Sequence, residues 1–484
     1  MRVPSSSRGS VLLVAAVLAL DGCGSQDDHT AIVIGSLVPR TGPIANADWV
    51  TAIELGHDHM AQGLAMASHA RGLHVGLVTR DSASNVDLSR QYAHELVALG
   101  AKALTAESSD SGKGANQANY DATPINTPIL CFVCTNSNLN NRSYTDPDPL
   151  AQAALRDEAN WLFRTAATTV NHTELTVKSI LALPGGGDVN GDGTVKIVLV
   201  SSTDSSSLAS TETSVKLLES AVVSPARLLI EVLLIDKNAT AESADFRGVL
   251  ERAHDKITTR EVLNPTTQAI ETAASAPDDP SVLAPDIIWN KALTIFAVGL
   301  VKTYKSAGYT TKVIHADTFR RNSVLTALGP AAEGQEGLSV LSWENNASGE
   351  VFAQAQKART DWEPAAYESN AYDARVMIEL AAIKAALPLP DPTMVTPDQI
   401  RAALQSINDP NGTVIRTGPL ELARAVDLMA DGHPINYEGA SGPVDFDERG
   451  DVRGKVAYWR VQGARFVDLS IYDCTRSNDC PRIQ

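Results

Sequence analysis

Short apolar runs alternate with amphipathic helical stretches along this chain, and that alternation leaves few folds open. Ala31 to Val38, Leu73 to Thr79, Ala103 to Thr105, Pro128 to Val133 and Val195 to Val200 read as buried strands. So do Leu228 to Ile235, Asp286 to Trp289, Lys312 to His315 and Leu338 to Leu341. Trp49 to Leu64, Asn85 to Leu99, Ser210 to Ser220, Ala241 to His254 and Lys291 to Ala307 read as the helices between them. In the second of these helices Leu88, Tyr92, Leu96 and Leu99 share one face, and Gly100 stops it. Strands with no polar face need helices on both sides, so the pattern predicts an α/β fold with parallel, doubly wound sheets. The units are too many for one sheet, which predicts two lobes. Later, Thr396-Pro397-Asp398 starts a helix, with Thr at the N-cap and Pro in the first position. Gly442 to Val461 reads as a strand, an acidic turn and a second strand.

Residues 1–22 read as an export signal. Arg2 and Arg8 flank the start of an unbroken apolar run, Val11 to Leu20, too short for a membrane span, which takes about 20 residues. Leu20-Asp21-Gly22-Cys23 resembles a bacterial lipobox, which implies lipidation of Cys23 and a tether over residues 23–30. The formal net charge is −17, a sign that repels phosphate backbones and argues against a nucleic-acid partner. Cysteine use fits an oxidising compartment. Cys474 and Cys480 bracket a turn-rich tail and read as a disulfide. Cys131 and Cys134 lie on an apolar run, which suits a structural disulfide or buried thiols better than redox chemistry.

Catalytic and metal patterns do not hold. The sequence has no G-x-S-x-G elbow, no phosphate-binding loop and no G-x-G-x-x-G after a strand. Asp188 to Gly193 has the oxygen spacing of a calcium loop, but its twelfth position is Leu199, so it reads as a solvated turn. His57 and His59 stand two apart on a helix and point to different faces, so they read as surface or cleft-edge histidines. Asp445, Asp447, Glu448 and Asp451 read as a solvated hairpin end. No enzymatic activity, cofactor or metal is expected.

An ordered set of segments resembles the branched-chain amino-acid-binding proteins, the type I periplasmic solute-binding proteins of ABC transporters. Ile32 to Pro43 looks like the family's first strand and ligand loop, and Ala106 to Ser111 like its serine-bearing loop. Thr127 to Ser137 matches the strand and loop beyond it, and Trp161 to Thr165 resembles the crossover into the second lobe. Tyr372-Asp373-Ala374 and Gly439 to Asp447, with Gly450-Asp451, are its best single signatures.

The resemblance implies two lobes joined by three hinge crossovers, near Arg164, His315 and Ala440. Lobe 1 would hold residues 31–163 and 316–439, and lobe 2 residues 164–315 and 440–484. It also implies a ligand between the lobes. Ser109, Ser111 and Thr135 would meet its carboxylate, flanked by Cys134 and Asn136, with Thr41 and Gly42 at the cleft mouth. Ser206, Trp289 and Asn290 are the second-lobe candidates. Thr203 to Ser207 replaces the family's aromatic–glycine pair, and Ile288 to Lys291 replaces its acidic ammonium partner. Trp289 is the candidate substitute for the lost ring. The implied role is capture of a small solute, an amino acid, amide or related carboxylate, for the permease of an ABC importer. The protein would face the bacterial periplasm, held to the membrane by lipid on Cys23. A sensory or interaction role on the same fold is the alternative.

Overall fold

The computed structural model describes residues 31–484 apart from positions 71, 192, 222–226, 241–243, 255–258, 264–269, 275–284, 342, 345 and 476–478. The export signal, Cys23 and the tether therefore lie outside the described residues.

Strands β1 (Ala31–Val38), β2 (His74–Asp81), β3 (Ala103–Ala106), β4 (Ile129–Cys131) and β5 (Leu162–Arg164) form one sheet in the order β2-β1-β3-β4-β5. Every pairing in it is parallel. A second sheet starts with β6 (Thr194–Ser202) and β7 (Arg227–Ile235). A separate hairpin of β8 (Thr259–Leu263) and β9 (Ile270–Ala274) precedes β10 (Ile287–Asn290), β11 (Lys312–His315) and β12 (Glu336–Val340). A small three-stranded sheet follows, made of β13 (Thr413–Ile415), β14 (Ile435–Gly439) and β15 (Gly442–Pro443). β16 (Lys455–Gln462) and β17 (Arg465–Asp473) then complete the second sheet, in the order β17-β16-β12-β11-β10-β6-β7.

The parallel parts of the two sheets share one winding. In each, the second strand lies to one side of the first and the later strands to the other. Connections then leave the first and third strands toward opposite faces, and a crevice opens between their carboxyl ends. Topology alone thus places one loop pair at β1/β3 and another at β6/β10.

Helices α1 (Ala47–Met66), α2 (Val86–Ala98), α3 (Ser109–Tyr120) and α4 (Pro149–Arg156) follow the strands of the first lobe. The second lobe carries α5 (Thr169–Leu181), α6 (Ser205–Ala221), α7 (Phe246–His254), α8 (Thr294–Ser306) and α9 (Asn322–Leu328). The chain then returns to the first lobe as α10 (Ala347–Thr360), α11 (Glu368–Ala386), α12 (Pro397–Ser406) and α13 (Pro419–Ala430). Helix α12 opens on the expected Thr396 cap, closed into a capping box by Gln399.

Three expectations need correction. The chain does not leave the second lobe near His315, because β12 pairs with β11 on one side and β16 on the other. The return to the first lobe comes between β12 and α10. Lys455–Gln462 forms no hairpin with the segment before it; its partners are β12 and β17. Of the histidines of α1, His59 is buried and His57 only partly exposed: His57 Nδ1 lies 2.8 Å from Glu379 Oε1, and His59 Nδ1 2.9 Å from the Tyr372 hydroxyl. Both partners sit on α11, a helix buried on nearly every side.

Asp373 on α11 explains why two distant sequence signatures belong together. Its buried carboxylate accepts hydrogen bonds from the Tyr437 hydroxyl (2.8 Å), the Ala440 amide (2.8 Å) and the Ser441 amide and hydroxyl (2.7 and 2.6 Å). A Cβ on Gly439 would stand 2.5 Å from that carboxylate, so only glycine fits. Both disulfides form, Cys131–Cys134 and Cys474–Cys480.

Replacing Asp373 with Ala strands buried donors, and we expect a loss of about 3 kcal/mol of stability. The check is a lowered urea midpoint at unchanged slope. Glu107, just after β3, carries a pH signature. It is wholly buried; one oxygen accepts from Ser82 Oγ at 2.6 Å and the other has no partner. Burial pushes its carboxyl up to about 7, against the pull of serine hydroxyls. Protonated Glu107 therefore stabilises the folded chain fully below its ordinary value of 4.5, and that contribution is lost as pH rises through about 7. Urea titrations at about pH 5 and about pH 8 should show a fall in stability of up to about 3 kcal/mol at the higher pH, reduced in Glu107→Gln.

Candidate functional site

The two crevices face each other and enclose a cavity of about 80 Å³. Roughly 150 Å³ holds a benzene in an engineered core, so a solute of amino-acid or benzoate size fits only with the lobes further apart than they stand here. From the first lobe, Pro43 and Ile44 follow β1, Ser108 to Asp110 follow β3, and Val133 and Thr135 follow β4. From the second, Asp204 and Ser206 follow β6, Lys291 and Leu293 follow β10, and Asp317 and Arg321 follow β11. Every one of these stands at a strand's carboxyl end, as the winding requires.

Among the contacts that draw the lobes together, three lie between the β3 and β4 loops of the first lobe and the β6 and β7 loops of the second. Lys237 Nζ donates to Asp110 Oδ2 at 2.9 Å. Asn136 Nδ2 donates to the Ser205 carbonyl at 3.1 Å, and Thr135 Oγ1 shares a hydrogen bond with Ser206 Oγ at 2.9 Å. Partial burial pulls the Lys237 ammonium down, but Asp110 more than offsets it and holds its proton more firmly than usual.

Two buried cations mark the wall. The Arg321 guanidinium stacks over Trp49 at 4.3 Å and Tyr367 at 5.5 Å, and its Nη1 donates to the Ala366 carbonyl at 2.8 Å. Tyr367 takes a left-handed φ of 70°, a costly conformation for a bulky residue, and its hydroxyl donates to Asp317. Lys291 Nζ lies 4.0 Å over the Trp289 ring and donates to Ser214 Oγ at 2.8 Å. Burial pushes its ammonium down to about 7, with Asp317 pulling the other way.

Of the residues singled out from sequence, Ser109, Thr135 and Ser206 stand on the cavity wall. The others do not. Ser111 turns back into α2's packing, where Ser89 Oγ donates to its hydroxyl at 3.1 Å. Cys134 is buried in its disulfide, its sulfur 3.2 Å from the Ser108 carbonyl, and Asn136 is used in the contact with Ser205. Thr41 caps Asp81 from outside, and Gly42 (φ 91°) closes so tightly on Ala83 that a Cβ would sit 2.3 Å from its carbonyl oxygen. Trp289 is not the substitute ring: the pleat of β10 turns it into the second lobe's core. Trp49 and Tyr367 supply the aromatic surface in its place. Asn290 is held by His315 Nδ1 at 3.0 Å and by the Ala292 amide.

Lys291, Asp317 and Arg321 were findable, since each is a charged residue just past an apolar strand. Reading Lys291 as the first residue of a helix hid it; the helix starts at Thr294. Trp49 and Tyr367 gave no local signal.

No family model matches the chain. One curated relative, the chemotactic signal transduction system substrate-binding protein BasB of Halobacterium salinarum, is 36% identical over 102 residues. That stretch spans 21% of this chain and only 22% of the relative. Solved structures align over nearly the whole chain. A leucine-binding protein LivK from Thermotoga maritima matches at TM-score 0.63 and 15% identity, covering 92% of this chain and 99% of its own. A solute-binding protein of an ABC transporter from R. palustris, in complex with benzoate, matches at TM-score 0.64 and 14% identity, covering 93% and 98%. LivJ from Streptococcus pneumoniae, in complex with isoleucine, matches at TM-score 0.59 and 14% identity, covering 91% and 100%. Two like-wound lobes around a shared cleft are therefore the fold of the type I periplasmic binding proteins.

Proposed function

We propose that this protein captures a small solute between its lobes and presents the closed form to a membrane partner. The observation that carries this reading is a cavity walled by both lobes and spanned by the Lys237–Asp110 ion pair. A solute that touches both walls binds the closed state better than the open one, which couples occupancy to shape. Hydroxyls of Ser109, Thr135 and Ser206 are the proposed polar contacts. Similar folds solved with isoleucine and with benzoate support an amino acid, amide or related carboxylate as the solute. The partner is the permease of an ABC importer, and lipid on Cys23 keeps the protein on the periplasmic side of the membrane. The stretch shared with BasB favours a second reading, delivery of the occupied form to a chemosensory receptor.

A thermal-shift screen of amino acids, amides and small carboxylates tests capture; a solute at a hundredfold excess over its Kd adds about 2.7 kcal/mol of stability. Absence of any such shift would leave the reading without support. Ser109→Ala and Thr135→Ala should each weaken a binder found in this way by roughly fivefold or more, about 1 kcal/mol per hydrogen bond, in protein that still unfolds cooperatively. Calorimetry that finds both variants equal to the parent would move the site elsewhere. Lys237→Met removes the latch, and we expect a larger radius of gyration for the solute-free protein by small-angle scattering. Its solute affinity should fall by about 1 kcal/mol or less, because the lysine is partly exposed.

A further inference from the structure

The polar groups of the cleft are unevenly employed. Each carboxylate on the wall already has a donor within the protein. Lys237 serves Asp110, the Ser202 hydroxyl (2.7 Å) and Ser207 amide (2.9 Å) serve Asp204, and the Tyr367 hydroxyl serves Asp317. The donors are less well supplied. Ser84 Oγ, Thr169 Oγ1 and Arg321 Nε, all on cavity-lining residues, are buried without a partner. Lys291 is 2% exposed, and its ammonium has one hydrogen bond, to a neutral hydroxyl. No carboxylate forms a salt bridge with it among the described residues. Burying a cation against neutral groups costs several kcal/mol, and such a charge is retained where an anion completes it.

We infer that Lys291 receives the acid group of the bound solute, which makes the cleft selective for a small organic monocarboxylate that carries no ammonium. This rests on reading the cavity as the solute site. Surplus donors suit carboxylate oxygens, which only accept. An ammonium would find its natural partners, Asp110, Asp204 and Asp317, already engaged. The groups facing Lys291 are Ser214 of α6, His172 of α5, Asp317 past β11, and Trp289 on its own strand. Burial pushes His172 down to about 4, so it is neutral near pH 7 and does not compete as a cation. An arriving carboxylate favours the charged lysine, so binding takes up a proton as pH rises through about 7.

Isothermal titration of the full chain tests this with three matched sets: 2-methylpropanoate, its amide and valine; 3-methylbutanoate, its amide and leucine; benzoate, benzamide and phenylglycine. We expect at least one acid to bind about tenfold or more tightly than its amide and its amino acid. Lys291→Met should abolish that preference, and Lys291→Arg should retain it. In the parent protein the acid's affinity should fall between about pH 6 and about pH 9, with proton uptake visible as a dependence of the heat on buffer ionisation. This pH readout does not require any variant to fold. An amino acid that binds as tightly as its matched acid overturns the selectivity while leaving solute capture intact. So does an acid whose affinity is unchanged in Lys291→Met. Silence from all nine compounds overturns this inference, and capture itself falls only if the wider screen is silent too.

Discussion

Arg164 is the fixed point around which the cleft is organised. It ends β5, the last strand of the first sheet, and its side chain is almost wholly buried. Its guanidinium grips Asp451 with two nitrogens, at 2.5 and 3.0 Å. The remaining protons go to the carbonyls of Cys134, Asn136 and Leu139, at 2.8, 2.8 and 2.7 Å. Planar, always-charged guanidinium geometry allows one side chain to satisfy this many acceptors at fixed angles, which lysine cannot do. The loop that carries Thr135 and the strand-to-strand passage that carries Asp451 are thus held to the same atom group. Three buried loop carbonyls are paired by it. A buried guanidinium is tolerable only with this degree of satisfaction.

Around that point the rest is supported from behind. The Cys131–Cys134 disulfide lies under the same loop, and its sulfurs leave no space for a side chain at Gly112, where a Cβ would meet Cys134 Sγ at 2.4 Å. Helix α3 can therefore approach the loop closely and bring Ser109 and Asp110 to the cleft. Asn140 adds another tie, donating to Asp451 Oδ1 at 2.8 Å and to the Leu162 and Arg449 carbonyls. The site is thus built on loops, but loops whose backbone groups are matched to buried side chains.

Much of the frame was legible before any coordinates. Strands betray themselves as short apolar runs, since burial on both faces admits no polar alternation, and the helices between them carry one apolar side. The Arg164 and Asp373 segments were recognisable as signatures, although only the structure explains them: one holds a loop, the other a turn 67 and 68 residues away in sequence. Asp451 looked like part of a solvated acidic turn because sequence cannot say that a buried arginine lies opposite. Trp289 looked like a ligand wall because the direction of a side chain on a short strand depends on pleat register, which neighbours decide.

By itself, then, the sequence determined two doubly wound lobes, the Cys474–Cys480 pair and the loops that bring Ser109 and Thr135 to the first lobe's side of the cleft. These follow from local pattern, because hydrophobic period and turn chemistry act over a few residues. Tertiary structure alone decided that β12 joins the second sheet, that Trp49 and Tyr367 flank Arg321, and that Lys291 stands buried beside the cleft with no salt bridge to a carboxylate among the described residues. Those facts depend on which distant segments meet, and the physical cost of an unpaired buried charge has no meaning until burial itself is known.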